Sequence, residues 1–492
     1  MKLLRMLGIA LVAVAAVGVA SAQSWTPVQN VPIPAGAIAL LTDGRVMVHE
    51  EQSNAGTWYI LTPDINGHYE TGTWTHIPSM PSGYAPLFFG SVVLPDGRYI
   101  VEGGEYNNGN GNRGKLGAIY DPAANTWTSV NPPTGWTYIG DSPSVILVNG
   151  TYMQTSCCDS PPTAALFDPS TLTWTSTGTG KYDIYDEEGM TLLPGGNVLD
   201  VDAYVEHYVS NGMNYELYNP GSGAWTVAGT TPEQYWDSAA DCGGSGSASF
   251  EEGPAVLMAN GTVFQTGANS CGAGHNGVYN VSSGTWTEAP DFPGTFDIAD
   301  GPGALEVNGN VLVFASPGIF NTGGQMFEWN GSTLTEVVNP PNGPSDSSYY
   351  GHFLMLPTGQ IMFADLSNDI ELFNSVGSQY TGWTPTVLLT NLVFSRGSTV
   401  KINGSKFNGA TQNNAYGDDF QDATNYPLVR FTNVATGHVF YGKTHGHSTM
   451  AVGYPGPTYT YVDVPSGMET GTTDMQVVVN GIASQNYQIG IQ

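Results

Sequence analysis

One unit recurs seven times along this chain. It consists of an apolar run, a turn ending in glycine, a second apolar run, an aromatic residue followed by Asp or Asn, and a Trp-Thr pair. The turn glycines are Gly44, Gly97, Gly150, Gly196, Gly261, Gly309 and Gly359, spaced by 46 to 65 residues. Several follow Asp or Asn, the strongest short hairpin signal, and a type I′ turn with positive φ at both central residues is expected there. Downstream, "YDPAANTWT" from Tyr120, "FDPSTLTWT" from Phe167, "YNPGSGAWT" from Tyr218 and "YNVSSGTWT" from Tyr279 mark two further strands per unit. A unit of four short strands cannot bury its face alone, so neighbouring units must stack.

Units of about 50 residues with four strands, A to D, match the blade of a kelch-type β-propeller. Seven of them close a ring without an exposed sheet edge. "SWTP" at Ser24 reads as a spare strand D that pairs with the last unit and fastens the ring. The repeats stop near Trp383. Beyond it, "VFSRGSTVKINGSKFNG" and "TDMQVVVNGIAS" alternate as strands with Gly/Asn turns and no Trp-Thr unit, the pattern of an immunoglobulin-like sandwich. The expected fold class is all-β: a seven-bladed propeller over residues 23–384 and an immunoglobulin-like domain over residues 385–492. The 64 Gly, 32 Pro and few amphipathic stretches agree with this.

Residues 1–22 have a secretory layout: Lys2 and Arg5 at the charged end, an apolar stretch from Met6 to Ala20, and the small residues Ala20-Ser21-Ala22 before a cleavage site. A soluble, secreted protein, extracellular or periplasmic, is expected, without membrane insertion and as a monomer. The formal charge of −30, with only 12 Lys+Arg, argues against nucleic acid and anionic membranes as partners and permits cations. Cys157, Cys158, Cys242 and Cys271 form an even set in an exported chain, so disulfides are expected. Three pairings are possible; the simplest joins Cys242 to Cys271 and Cys157 to Cys158.

Counting back nine residues from each turn glycine reaches the start of strand A, the innermost strand of a blade. The third to seventh units have Asp141, Glu187, Glu252, Asp300 and Tyr350 there, while the first two have Ala35 and Phe88. Four successive carboxylates at one register form an arc at one mouth of the axial channel. The antiparallel strand B ends on the same face, bringing His49, Glu50, Glu102, Glu105, Asp200, Asp202 and Asp365 there. Such an arc suits a hard cation such as calcium. It equally suits acid and base roles in sugar chemistry.

In domain order and repeat, the chain resembles the galactose oxidase/glyoxal oxidase group and, more broadly, secreted kelch-repeat proteins. The resemblance covers residues 24–492. Those oxidases bind copper on the propeller axis through a Tyr-His pair opening the last strand A, a tyrosine crosslinked to cysteine, and a histidine from the C-terminal domain. In "SYYGHFLMLPTG", Tyr349 matches the tyrosine, Tyr350 occupies the histidine position, and His352 follows two residues later. In "YGKTHGHSTMAV", His445 matches the C-terminal histidine. The resemblance therefore implies a variant copper site of Tyr349, His352 and His445. It departs from the group at the crosslink, because Phe88 stands where the modified tyrosine would be and no cysteine opens the first or second strand A.

Three functions follow. The first is a secreted propeller that binds a glycan, a cation or another polar small molecule at the acidic funnel. The second is a copper-dependent oxidase with a variant site. The third is a carboxylate-based carbohydrate hydrolase or lyase. No HExxH, P-loop or dinucleotide fingerprint is present.

Overall fold

The computed structural model describes residues 22–52, 56–203, 213–243 and 248–492. The leader expected over residues 1–22 lies outside them but for Ala22. No helix among the described residues is long and apolar enough to cross a membrane.

The described residues are built from strands, with only short 3-10 turns between them. Seven sheets, here I to VII, each run antiparallel through four strands A to D. Sheet I comprises Ala35–Leu40, Val46–Glu50, Trp58–Thr62 and Thr73–His76. The A strands of sheets II to VII begin at Gly90, Ser144, Met190, Ala255, Gly303 and His352. Each A strand contacts the A strands of the sheets before and after it, and sheet VII contacts sheet I. The outermost strand of sheet VII is Ser24–Pro27, which pairs with Ile370–Asn374 in the register Ser24 to Asn374. The two ends of the repeat array are thus hydrogen-bonded to each other.

The turn glycines all have positive φ, from 79° at Gly44 to 99° at Gly196. The turns are not type I′, however. In sheet I the Gly44 N–H donates to Leu41 O and the Leu41 N–H to Arg45 O, while Asp43 keeps an ordinary negative φ. This is a type I turn closed by one left-handed glycine. The preceding Asp or Asn has a different task from the one expected: its side-chain oxygen accepts the N–H of the residue after the glycine, at 3.0 Å from Thr151 to Asn149 and 2.8 Å from Asn310 to Asn308.

The Trp-Thr tryptophans tie neighbouring sheets together. Four half-buried indoles donate to a carbonyl that leaves the preceding sheet, Trp74 to Gln29 O, Trp127 to Pro78 O, Trp174 to Asn131 O and Trp25 to Val338 O, all at 2.8–3.0 Å, whereas the indole N–H groups of Trp225 and Trp286 have no hydrogen-bond partner. Trp25 also lies on Phe373 and Phe363, with ring centroids 5.0 and 5.8 Å away. Replacing Trp25 by alanine removes the anchor of the closing strand. It is expected to cost about 2–3 kcal/mol, below the value for a fully buried tryptophan. An unchanged denaturant midpoint would show that the strand contributes nothing to closure.

From Thr386 onward a nine-stranded sheet forms, with its own core of Phe394, Ile402, Val429, Phe431, Met475 and Val477. It is not independent of the ring. Residues 407–426 are buried throughout and run into the ring centre. Asn414–Ala415 adds a fifth strand to sheet VI, with Ala415 opposite Gly303. Gln412 accepts the Leu192 N–H and Gln421 donates to Met190 O in sheet IV. Asn414 accepts the Met355 N–H in sheet VII, Phe420 bridges to Ser91 of sheet II, and Tyr426 Oη donates to Leu40 O of sheet I. A polar segment here fills the space where seven A strands converge, because their backbone groups need polar partners.

Candidate functional site

A cleft of about 520 Å³ opens where the A strands begin, lined in part by Asp418 of the inserted segment 407–426, the plug. Its lining is acidic, with Glu51, Glu105, Asp141, Glu187, Glu251, Asp300 and Asp418, and aromatic, with Phe88, Tyr106, Phe320, Tyr349 and Tyr350 in one connected cluster. Tyr349 and Tyr350 meet edge to face at 4.5 Å, and Phe320 lies 5.3 Å from Tyr349.

Of the arc read from the repeat register, Asp141, Glu187, Asp300 and Tyr350 line this cleft. Glu252 does not. It is buried behind the wall and accepts the Gly189 N–H at 2.9 Å, while its neighbour Glu251 faces the cleft. The reason is the backbone. Phe88, Glu187 and Asp300, equivalent by register, all have positive φ, at 50°, 60° and 54°. In sheet V the left-handed residue comes two positions earlier, at Phe250 with φ 68°. The chain therefore enters strand A turned by one residue, and the carboxylates of Glu251 and Glu252 exchange places.

Five cleft residues that are not glycine have positive φ: Phe88, Glu187, Asp300, Phe320 and Leu366. Each costs of order 1–3 kcal/mol, and such strain gathers where side chains are aimed for a purpose. The acids are also short of partners. Asp141 Oδ1, Glu251 Oε2 and Asp300 Oδ1 are buried with no hydrogen-bond partner. Burial, and then the neighbouring carboxylates, push Asp141, Glu187, Glu251, Asp300 and Asp418 well above the usual carboxylate range. Burial raises Glu105 as well, against the opposing charge of Arg113.

The copper ligands implied by resemblance are not brought together. Tyr349 lines the cleft. His352 lies under the plug, its ring stacked on Tyr416 at 5.3 Å and edge-on to Phe420 at 4.8 Å, and burial lowers its pKa to about 4. His445 is at the opposite mouth. Its Nε2 lies 3.3 Å from Asp463, and the adjoining Thr444 and Gly446 N–H groups bond to Thr42 O and Pro95 O in the turns that end strand A. The C-terminal part reaches the axis with the acidic plug instead of this histidine. The donor sets that gather at the cleft are oxygen only: Asp141, Glu187 and Asp418 within 4.8 Å of one another, and Glu187, Glu251 and Asp300 likewise. Copper(II) prefers imidazole in tetragonal sites, so these residues do not fit it.

The disulfides are Cys157–Cys158 and Cys242–Cys271. Cys158 Sγ is 3.6 Å from Asp186, on the loop that leads to Glu187. Asp200 and Asp202, expected at the mouth, lie instead in a closed cage within sheet IV. There Lys181 Nζ is 2.7 Å from Asp183, 2.9 Å from Glu188, 3.0 Å from Glu216, 3.2 Å from Asp202 and 3.8 Å from Asp200, all with fully buried side chains. Glu102 is buried without a hydrogen-bond partner and His49 stacks on Trp58 at 4.6 Å, so neither reaches the cleft. Glu251, Asp418 and the plug were missed by sequence reading. The available signal was "GDDFQD" at Gly417, an acidic run in a stretch with no strand pattern.

No protein-family model matches the chain, and no curated protein matches it in sequence. Among solved structures it is similar to a fungal alcohol oxidase of the AA5 family in complex with copper, 12% identical, with a TM-score of 0.52 over 96% of this chain and 99% of that one. It also aligns with the extracellular domain of a hybrid two-component system from B. thetaiotaomicron, 11% identical, with a TM-score of 0.45 over 96% of this chain and 59% of that one. YjhT aligns at 12% identity and a TM-score of 0.39 over 71% of this chain and 97% of that one. At such identity the likeness to the alcohol oxidase is one of fold alone, that of an all-β chain of four-stranded sheets.

Proposed function

We propose that this is an extracellular binding protein, a seven-bladed kelch-type propeller with an immunoglobulin-like C-terminal domain, whose axial cleft holds calcium and, beside it, a polar ligand such as a glycan. The observation that carries this reading is the cleft itself. Glu187, Glu251 and Asp300 converge within 4.8 Å, and an aromatic cluster lines the same cleft. Hard oxygen donors of high negative charge suit calcium, which leaves coordination positions for water or ligand oxygens. The tyrosine faces suit the apolar side of a sugar ring. The carboxylate set, which lacks imidazole, favours this over oxidation.

Calorimetric titration of the full chain with calcium tests it. Glu251→Gln is expected to weaken binding roughly tenfold or more, because it removes a charged ligand. Glu252→Gln, one residue along but behind the wall, is expected to leave calcium affinity unchanged. Equal effects, or no calcium binding by the parent chain, would sink the proposal.

A further inference from the structure

We infer that the cleft holds two divalent cations bridged by the Glu187 carboxylate. This rests on the reading of the cleft as a cation site and goes beyond it in number and arrangement. Two sets of three carboxylates meet the distance condition for a shared ion, Asp141, Glu187 and Asp418 on one side and Glu187, Glu251 and Asp300 on the other. Among the described residues, Glu187 alone belongs to both. A carboxylate has two oxygens, each with two lone pairs, so one group can serve two ions.

Each set also has a deeply buried oxygen without a hydrogen-bond partner. Asp141, 7% exposed, has Oδ1 without a hydrogen-bond partner, and Glu251, 8% exposed, has Oε2 in the same condition. Both residues line the cleft. An orphaned buried carboxylate oxygen is costly, and a metal ion relieves it. Each set thus offers at least one unsatisfied oxygen to an ion, with Asp300 Oδ1 a further one beside Glu251.

The three carboxylates in each set leave coordination positions open toward the cleft. Tyr349 and Tyr350 line the same cleft. A ligand with two adjacent oxygens would span the pair, which selects a vicinal diol of a sugar, a carboxylate or a phosphate. Glu187, whose backbone is left-handed at φ 60°, lines the cleft and is the member common to both sets.

The experiment is equilibrium dialysis of the full chain against calcium alone, with manganese as the paramagnetic substitute. Two ions per chain are expected. Asp141→Asn and Asp300→Asn are each expected to lose one, from opposite sides, and Glu187→Gln to weaken both. Electron paramagnetic resonance of the manganese form is expected to show an exchange-coupled pair in the parent chain and an isolated ion in Asp141→Asn. One ion per chain, or two that show no coupling, would overturn the bridged pair while leaving the cation-binding reading intact. No ion at all would overturn both. Near-ultraviolet circular dichroism of each variant confirms that lost binding is not lost folding.

Discussion

Replacing Lys181 by methionine is expected to destabilise the protein by about 3–5 kcal/mol or more at neutral pH, the cost of breaking a buried ion pair from one side. Methionine fills much of the space, so the loss is one of charge. The ammonium sits among five carboxylates with fully buried side chains, at 2.7–3.8 Å. Burial opposes the lysine charge, but Asp183, Asp202, Glu188 and Asp200 outweigh it and hold the amine protonated. Three donor protons cannot serve five acceptors. Burial pushes Asp200 up to about 7, and holds Glu188 and Asp202 well above their usual range.

The pH dependence of this variant has a definite sign. A carboxyl whose folded pKa lies above its unfolded value binds its proton more tightly when folded. Its favourable contribution is complete below the unfolded pKa and is lost as pH rises through the folded one. Without the ammonium these pKa values move higher still. The deficit of Lys181→Met against the parent chain is therefore expected to shrink as pH falls from 8 through 7 to 5. Thermal denaturation of both proteins across that range checks this, and a deficit that widens in acid would contradict the account.

Phe420→Ala is expected to cost about 3–5 kcal/mol, the usual value for emptying a buried phenylalanine site. Phe420 is 5% exposed and fixes the plug to the ring. Its ring lies 4.8 Å from His352, 6.1 Å from Phe89 and 6.5 Å from Tyr416, and its backbone bridges to Ser91. Most of its neighbours in sequence are Asn, Gln, Asp and Gly, and Phe420 shares the apolar anchoring of the plug with Phe407, Tyr416 and Tyr426. Losing this ring is expected to loosen residues 407–426 before the sheets themselves, and with them Asp418 in the cleft lining. Limited proteolysis reads the difference: new cleavage within 407–426 supports it, and unchanged resistance with an unchanged denaturant midpoint rejects it. Phe420→Leu, which keeps most of the volume, is expected to lose far less.

The two variants probe two solutions to one difficulty, acids inside an all-β fold. In the Lys181 cage the charge is met by an ammonium from the same chain. In the cleft, burial and neighbouring carboxylates dominate at Asp141, Glu187, Glu251 and Asp300, and Arg113 offsets only part of the charge at Asp141. Unsatisfied oxygens occur in both places, so it is the ammonium at the centre of the cage that separates a structural acidic cluster from a candidate binding site.

What the sequence determined by itself was local. Seven turn glycines, the Asp or Asn before most of them and the Trp-Thr pairs are each demanded by short-range geometry, so strands, hairpins and their repetition were legible, as was the Ser24 strand that pairs with Asn374. The register argument placed Asp141, Glu187, Asp300 and Tyr350 on one mouth because strand period fixes side-chain direction within a repeat. It failed at Glu252, where a left-handed residue at Phe250 shifted the entry into strand A by a turn that residue counting does not reveal. Long-range placement was decided only by the tertiary structure. His445 matched a motif yet ended at the far mouth, hydrogen-bonded beside Asp463. Residues 407–426, with neither strand alternation nor helical period, became the axial plug, because converging A strands present unpaired polar groups that only an inserted polar segment can satisfy. Asp418 reached the cleft on that segment, 231 residues along the chain from Glu187, and no local pattern carries a contact of that length.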